Sequence, residues 1–187
     1  MGSDLAPGFL VAAPSLRDPS FVRTVVLLVE HGESGTLGFV VNRPSPVGFT
    51  EVAGALGLTV ADRTKVPVYV GGPVSPQSGW LLFDPRDVAA DHLEDAVILG
   101  ETLAVSASRR LLQAIASNGR SKKQILALGY AGWGSGQLEN EMLENTWLSC
   151  PADVNILFDV PFDQRVNKAA ASLGIDFRLM SKDAGHA

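Results

Sequence analysis

The sequence predicts a mixed α/β fold in which one largely antiparallel sheet carries packed helices, and three observations lead there. Short apolar runs rich in β-branched residues recur along the 187 residues. Helical segments stand between some of them and are closed by glycines at 57, 119 and 174. The strands both neighbour one another and alternate with helices, which fits a mixed sheet better than a doubly wound parallel one.

Phe9 to Ala13 is an apolar run stopped by Pro14 and reads as a strand; Asp18-Pro19 marks a turn. Thr24 to Val29 is apolar without alternation, the pattern of a strand covered on both faces. Gly32 to Gly35 turns the chain into a second strand, Leu37 to Asn42, so the two form a hairpin ended by Pro44. Thr50 is placed to cap a short helix running to about Leu56. Val66 to Val70, Gly79 to Phe83 and Ala96 to Gly100 read as strands. Ser106 to Asn118 is a helix with Leu111, Leu112, Ile115 and Ala116 on one face and Gly119 as its C-cap. Gln124 to Gly129 is a strand, followed by a glycine-rich loop to Gly136 and a short acidic helix from Gln137 to Leu143. Trp147 to Cys150 and Val154 to Phe158 are expected strands, Pro161 to Leu173 a helix, and Phe177 to Met180 a final strand before a polar tail. There is no internal repeat, low-complexity tract or linker, so residues 1–187 are expected to form one domain.

With 46% hydrophobic and 19% charged residues, the chain can bury roughly 70% of its unfolded surface and does not have the composition of a disordered protein. Its formal charge of −5, from 15 basic and 20 acidic residues, makes direct nucleic-acid binding an unfavourable default. The densest basic stretch, Arg120 to Lys123, reads as a solvated turn. One cysteine, Cys150, allows no internal disulfide and no cysteine-based zinc site, and its apolar setting predicts an inert buried thiol. No signal peptide and no apolar run approaching the roughly 18 residues of a membrane helix is visible, so a cytoplasmic protein is expected.

Catalytic motifs are hard to find. No serine has glycines two residues to either side, as a nucleophile elbow requires. The histidines, His31, His92 and His186, are too scattered for a local metal site, and adjacent Glu30 and His31 would point to opposite faces of a strand. The acidic run Asp84, Asp87, Asp91, Glu94 and Asp95 reads as solvated surface. No metal or cofactor is expected.

Two polar spots remain. If His31 pairs with Thr36, then Val25 faces Asn42, and Asp18, Arg23, Asn42 and Arg43 gather at the open end of the hairpin. Two guanidinium groups beside an amide could clamp a carboxylate or phosphate; alternatively, Asp18 pairs with an arginine to pin the loop. The second spot is Gly132, Trp133 and Gly136 with Gln137, Glu139 and Glu141, a glycine-rich loop between strand and helix. It lacks the lysine of a P-loop, and its glutamates would repel an anion, so a tight turn is the simpler reading.

Several segments carry a resemblance. Gly8 to Pro14, Leu16, Asp18-Pro19, Phe21, Arg23 and Val25 to His31 are similar to the opening motif of the bacterial YqgE/AlgH family. Gly38 through Asn42-Arg43-Pro44, Gly71-Gly72-Pro73, Leu128 to Ala131 with Trp133, and Gly136 to Glu139 with Glu141 continue it. Asn145, Trp147, Pro151 to Asp153, Asn155 to Phe158 and the closing Ala184 to Ala187 complete a match along nearly the whole chain. Val166 stands where members often carry Trp, and Arg110 where an acid is common. The resemblance implies a cytoplasmic mixed α/β protein without a known mechanism, and some members bear a transcriptional-regulator label. No helix-turn-helix or basic recognition helix supports direct DNA contact here. The residues therefore favour a non-enzymatic binding or regulatory module acting through a protein partner or a small acidic ligand. The alternative is an enzyme using the glycine-rich loop and its carboxylates, with His31 as a helper.

Overall fold

Apolar β-branched runs pair first with their sequence neighbours, and a computed structural model shows the result. It describes residues 5–118 and 123–180. β1 (Gly8–Ala12) lies antiparallel to β2 (Val25–Gly32), which turns at Glu33 and Ser34 into β3 (Gly35–Val40). β4 (Val68–Val70), β5 (Val74–Phe83), β6 (Val97–Ile98), β7 (Ala104–Ser106), β8 (Gln124–Trp133) and β9 (Trp147–Pro151) complete a nine-stranded sheet in the order β6-β7-β5-β8-β3-β2-β1-β9. β4 joins β8 from the side as the parallel pair, and the other pairings are antiparallel, so the sheet is mixed and largely antiparallel as the sequence predicts.

β8 holds the sheet together because its two halves serve different neighbours. Ile125 to Leu128 pairs with β5, and Ala131 to Trp133 with β3. The bend between them falls at Gly129, whose φ of +72° favours glycine and whose added Cβ would lie 2.6 Å from the Gly72 carbonyl oxygen.

The helices cover both faces. α1 (Phe49–Ala55) and α2 (Arg109–Asn118) pack over β5, β7 and β8, with Phe49, Ala53, Leu111 and Ile115 against Leu81, Phe83 and Leu126. α4 (Val154–Phe158) and α5 (Arg165–Ser172) cover the face of β1 and β2 that presents Phe9, Val11, Val25 and Leu27. The opposite face, with Leu10, Val26 and Leu28, packs on Leu138 of α3 (Gln137–Leu143) and on Trp133 and Trp147. Both faces of β2 are thus buried, which is why its first half does not alternate.

Some segments differ from expectation. Val154–Phe158 is helical because the Asp153 carboxylate accepts the Asn155 N–H at 2.8 Å and caps it. Phe177–Met180 is also helical (α6), not a strand. The first helix starts at Phe49 with Gly48 at its N-cap, leaving Thr50 inside it. Ser106, expected to open a helix, instead ends β7, and the helix begins at Arg109. The strand expected over Ala96–Gly100 shrinks to Val97–Ile98, and the last long helix opens with a 3-10 turn at Phe162–Gln164. The Gly119 cap, residues 120–122 of the basic stretch, and the tail with His186 lie outside the described residues.

Candidate functional site

The hairpin end assembles as the sequence suggests, though displaced by one residue. His31 pairs with Thr36, but a bulge between Leu28 and Glu30 shifts the register so that Val26 pairs with Val40. Val25 then donates its N–H to the Asn42 side-chain oxygen at 2.9 Å, and the Asn42 amide donates to the Arg23 carbonyl at 2.9 Å. Arg43 spans the neighbouring turn, donating to the carbonyls of Pro19 (3.2 Å), Ser20 (2.8 Å) and Val22 (3.3 Å). Asp18 accepts the Ser20 N–H at 2.8 Å, and Arg23 is exposed with a φ of +57°. Asn42 and Arg43 thus meet the turn that Asp18 opens and Arg23 closes, with their donors directed at the turn's own backbone and the Asp18 carboxylate on a turn N–H rather than on an arginine.

The second spot is tied to the first through Phe21. Its ring lies 5.9 Å from Trp133 and 5.5 Å from Trp147, and the two indoles meet edge-on at 5.8 Å. Both indole N–H groups donate to Glu141 Oε2, at 3.0 and 2.8 Å, while Gln137 donates to Glu141 Oε1 at 2.9 Å. Gln137 also accepts the Gly134 N–H at 3.0 Å, so the glycine loop is laced to the helix it precedes. Gly132 and Trp133 belong to the end of β8, and Gly136, at φ +71°, takes the N-cap of α3. Glu139 reaches His31, with Oε1 3.5 Å from Nε2, and His31 Nδ1 lies 2.7 Å from the Thr36 hydroxyl. Carboxylate, imidazole and hydroxyl therefore stand in line, with Thr36 buried.

A third feature draws on residues the sequence does not single out. Between α1 and the start of α2 lies a cleft of about 430 Å³. Leu81, Leu126 and Leu128 form its floor, and Val52 and Leu112 its walls. One lip is a bulge within β5, between the Val74–Tyr130 and Gly79–Leu128 pairs, that brings Pro76 and Gln77 to the cleft. Ser106, Ser108, Arg109 and Glu51 supply polar groups around it. Ser106 is 2% exposed; its hydroxyl accepts the Ser108 N–H at 3.0 Å. The Arg109 guanidinium donates to the Leu56 carbonyl at the end of α1 at 2.6 Å. The sequence signal was the Arg109-Arg110 pair opening a helix, where acids are the usual choice.

Other ionisable groups serve the framework. Arg165 is 4% exposed and donates to the carbonyls of Val41 and Val160, with its guanidinium 5.0 Å from the Tyr69 ring centroid. Burial lowers its pKa, while Tyr69 works in the opposite direction. Burial raises the Cys150 thiol pKa. No group of three or more potential metal-binding side chains gathers among the described residues.

A family model described as AlgH-like matches residues 9–178. The chain belongs to this family. Its AlgH-like relatives include a UPF0301 protein of Stutzerimonas stutzeri, 44% identical over 96% of this chain and 94% of that protein. They also include the UPF0301 protein AlgH of Pseudomonas aeruginosa, again 44% identical with 96% and 94% covered. The solution structure of the P. aeruginosa AlgH protein superposes with a TM-score of 0.78 at 42% identity, covering 100% of this chain and 98% of that one. The crystal structure of protein DIP2367 from Corynebacterium diphtheriae gives 0.68 at 26% identity, covering 87% and 85%. These AlgH-like relatives are bacterial and bear UPF0301 names, in keeping with the fold and family that the sequence suggests. Among the described residues, no helix is long and apolar enough to cross a membrane.

Proposed function

We propose that this protein is a non-catalytic cytoplasmic binding module whose recognition element is the cleft between α1 and α2. One observation carries the reading: a cavity of about 430 Å³, within the usual range for small-molecule sites, has an apolar floor and a few polar groups at its edge. A small ligand held there would touch both helices and could fix their relative position. That would present a ligand-dependent surface to a protein partner. By contrast, the polar groups around Arg43 and Glu141 are engaged with the protein's own backbone and indoles.

The test is a small-molecule screen read by methyl NMR, run on the native protein and on Ala107→Trp, which fills the cleft from an exposed lining position. Ligands should shift the methyls of Leu81, Leu126 and Leu128 in the native protein only. Hits that shift the same methyls equally in both proteins, or no hit on those methyls at all, would remove the reading.

A second reading, an acid–base enzyme, is favoured by the Glu139–His31–Thr36 line, because an imidazole between a carboxylate and a hydroxyl can move a proton along that path. Turnover of a chromogenic ester panel should then disappear in His31→Gln. Activity that survives that change would exclude this route.

A further inference from the structure

We infer that the ligand of the α1–α2 cleft is a small amphipathic anion, with an apolar body on the leucine floor and a single carboxylate or phosphate head beside Arg109. This rests on the binding-module reading and adds the chemical class. The floor of Leu81, Leu126 and Leu128 excludes water-like polarity from most of the cavity, so the body of the ligand must be apolar. The sign of the head follows from how the nearby charges are offset.

Glu51 sits in the first turn of α1, where the positive end of its own helix already compensates a carboxylate. Arg109 and Arg110 sit in the first turn of α2, which has no acid, so there the helix end opposes both cations. Arg110 is balanced by Asp91 at 2.9 Å. Among the described residues, Arg109 meets only a neutral carbonyl oxygen, that of Leu56. Of the two charges lining the cleft, Glu51 is therefore the one its helix end favours and Arg109 the one its helix end opposes, which leaves Arg109 the group that gains most from an added counter-charge. Ser106, buried beside it and using its oxygen to accept from Ser108, keeps a hydroxyl proton to donate to an anion. An arginine that breaks the usual charge rule at a helix start, in the wall of an apolar cavity, is the kind of local conflict that a bound anion resolves.

The experiment compares octanoate, decanoate and dodecanoate with the alcohols and primary amines of the same chain lengths, by titration calorimetry and methyl NMR on the full chain. Carboxylates should bind in the cleft, gaining roughly fourfold in affinity per methylene until the cavity is filled. Alcohols and amines should bind at least about tenfold more weakly, in keeping with the strength of hydrogen bonds to charged groups. Arg109→Gln should remove the preference for the carboxylate, and Arg109→Lys, which keeps the charge, should retain most of it. Alcohols or amines binding the cleft as well as carboxylates would overturn the ligand class and leave the binding-module reading standing. If no series moves the methyls of Leu81, Leu126 and Leu128, both fall. Co-sedimentation with phosphatidylglycerol vesicles, lost in Arg109→Gln, would move the anion to a membrane lipid and overturn the free small molecule.

Discussion

The corner where the first hairpin meets α3 and the cleft between α1 and α2 use polar groups in opposite ways. At the corner, Asn42, Arg43, Gln137 and Glu141 turn inward and satisfy carbonyls, amides and indoles of the same chain. At the cleft, buried Leu81 and Leu126 and half-buried Leu128 underlie an apolar cavity, and among the described residues the nearest cation, Arg109, donates to a carbonyl and meets no acid. A conspicuous polar side chain is more often occupied than available. A binding site can be built from buried leucines whose only unusual property is the space left above them.

The contrast can be broken at its strongest internal tie. Arg165→Met should cost about 3 kcal/mol, because it leaves the buried carbonyls of Val41 and Val160 without their donor, partly offset by relief from burying a charge. Urea denaturation would measure it. Glu141→Ala orphans the N–H groups of Trp133 and Trp147, both buried, and should cost about 2 kcal/mol, whereas Glu141→Gln keeps an acceptor and should cost about half of that. Equal losses in the two Glu141 variants would mean that the ring packing, rather than the shared oxygen, holds the corner. Arg43→Ala should cost about 1 kcal/mol, since its acceptors are near solvent. Arg109→Gln should stay within about 0.5 kcal/mol in thermal unfolding while changing ligand preference, which separates the two regions most directly.

Acid adds a smaller effect. The Arg86 side chain hydrogen-bonds the buried Asp84 carboxylate at 2.7 and 3.0 Å and holds its pKa below the ordinary value, against the opposing pull of burial. A carboxyl depressed in the folded state contributes stability that is complete above its unfolded pKa of about 3.9. That contribution is lost as pH falls through the lower folded value. Asp84→Asn should therefore flatten the acid limb of the stability curve below about pH 4 and leave its slope near neutrality unchanged.

Much of this architecture is legible in the residues. The non-alternating run before His31 announces a strand buried on both faces, and the His31–Thr36 pairing follows from the glycines at the turn. The one-residue displacement of Asn42 is not legible, because the register shift between Leu28 and Glu30 leaves no mark in the local spacing of residue types. Val154–Phe158 misleads for a related reason: five apolar residues suit a buried strand or a buried helix equally, and the Asp153 cap decides. That Asn42 and Arg43 reach the turn before β2 is legible in the spacing, and the link through Phe21 to Glu141 is not, since it joins segments more than a hundred residues apart. The cleft escapes notice because a cavity is a property of the space between elements.

Edge-on indoles sharing one carboxylate have an optical consequence. Trp133 and Trp147 are locked at 5.8 Å and 81°, so their transitions couple and should give a signed near-ultraviolet circular dichroism band. Trp80 lies elsewhere, against Phe39 and Tyr130. The molecule thus carries a built-in gauge of one corner: that band should fade when the Phe21 turn lets go, even while the remaining sheet holds its shape.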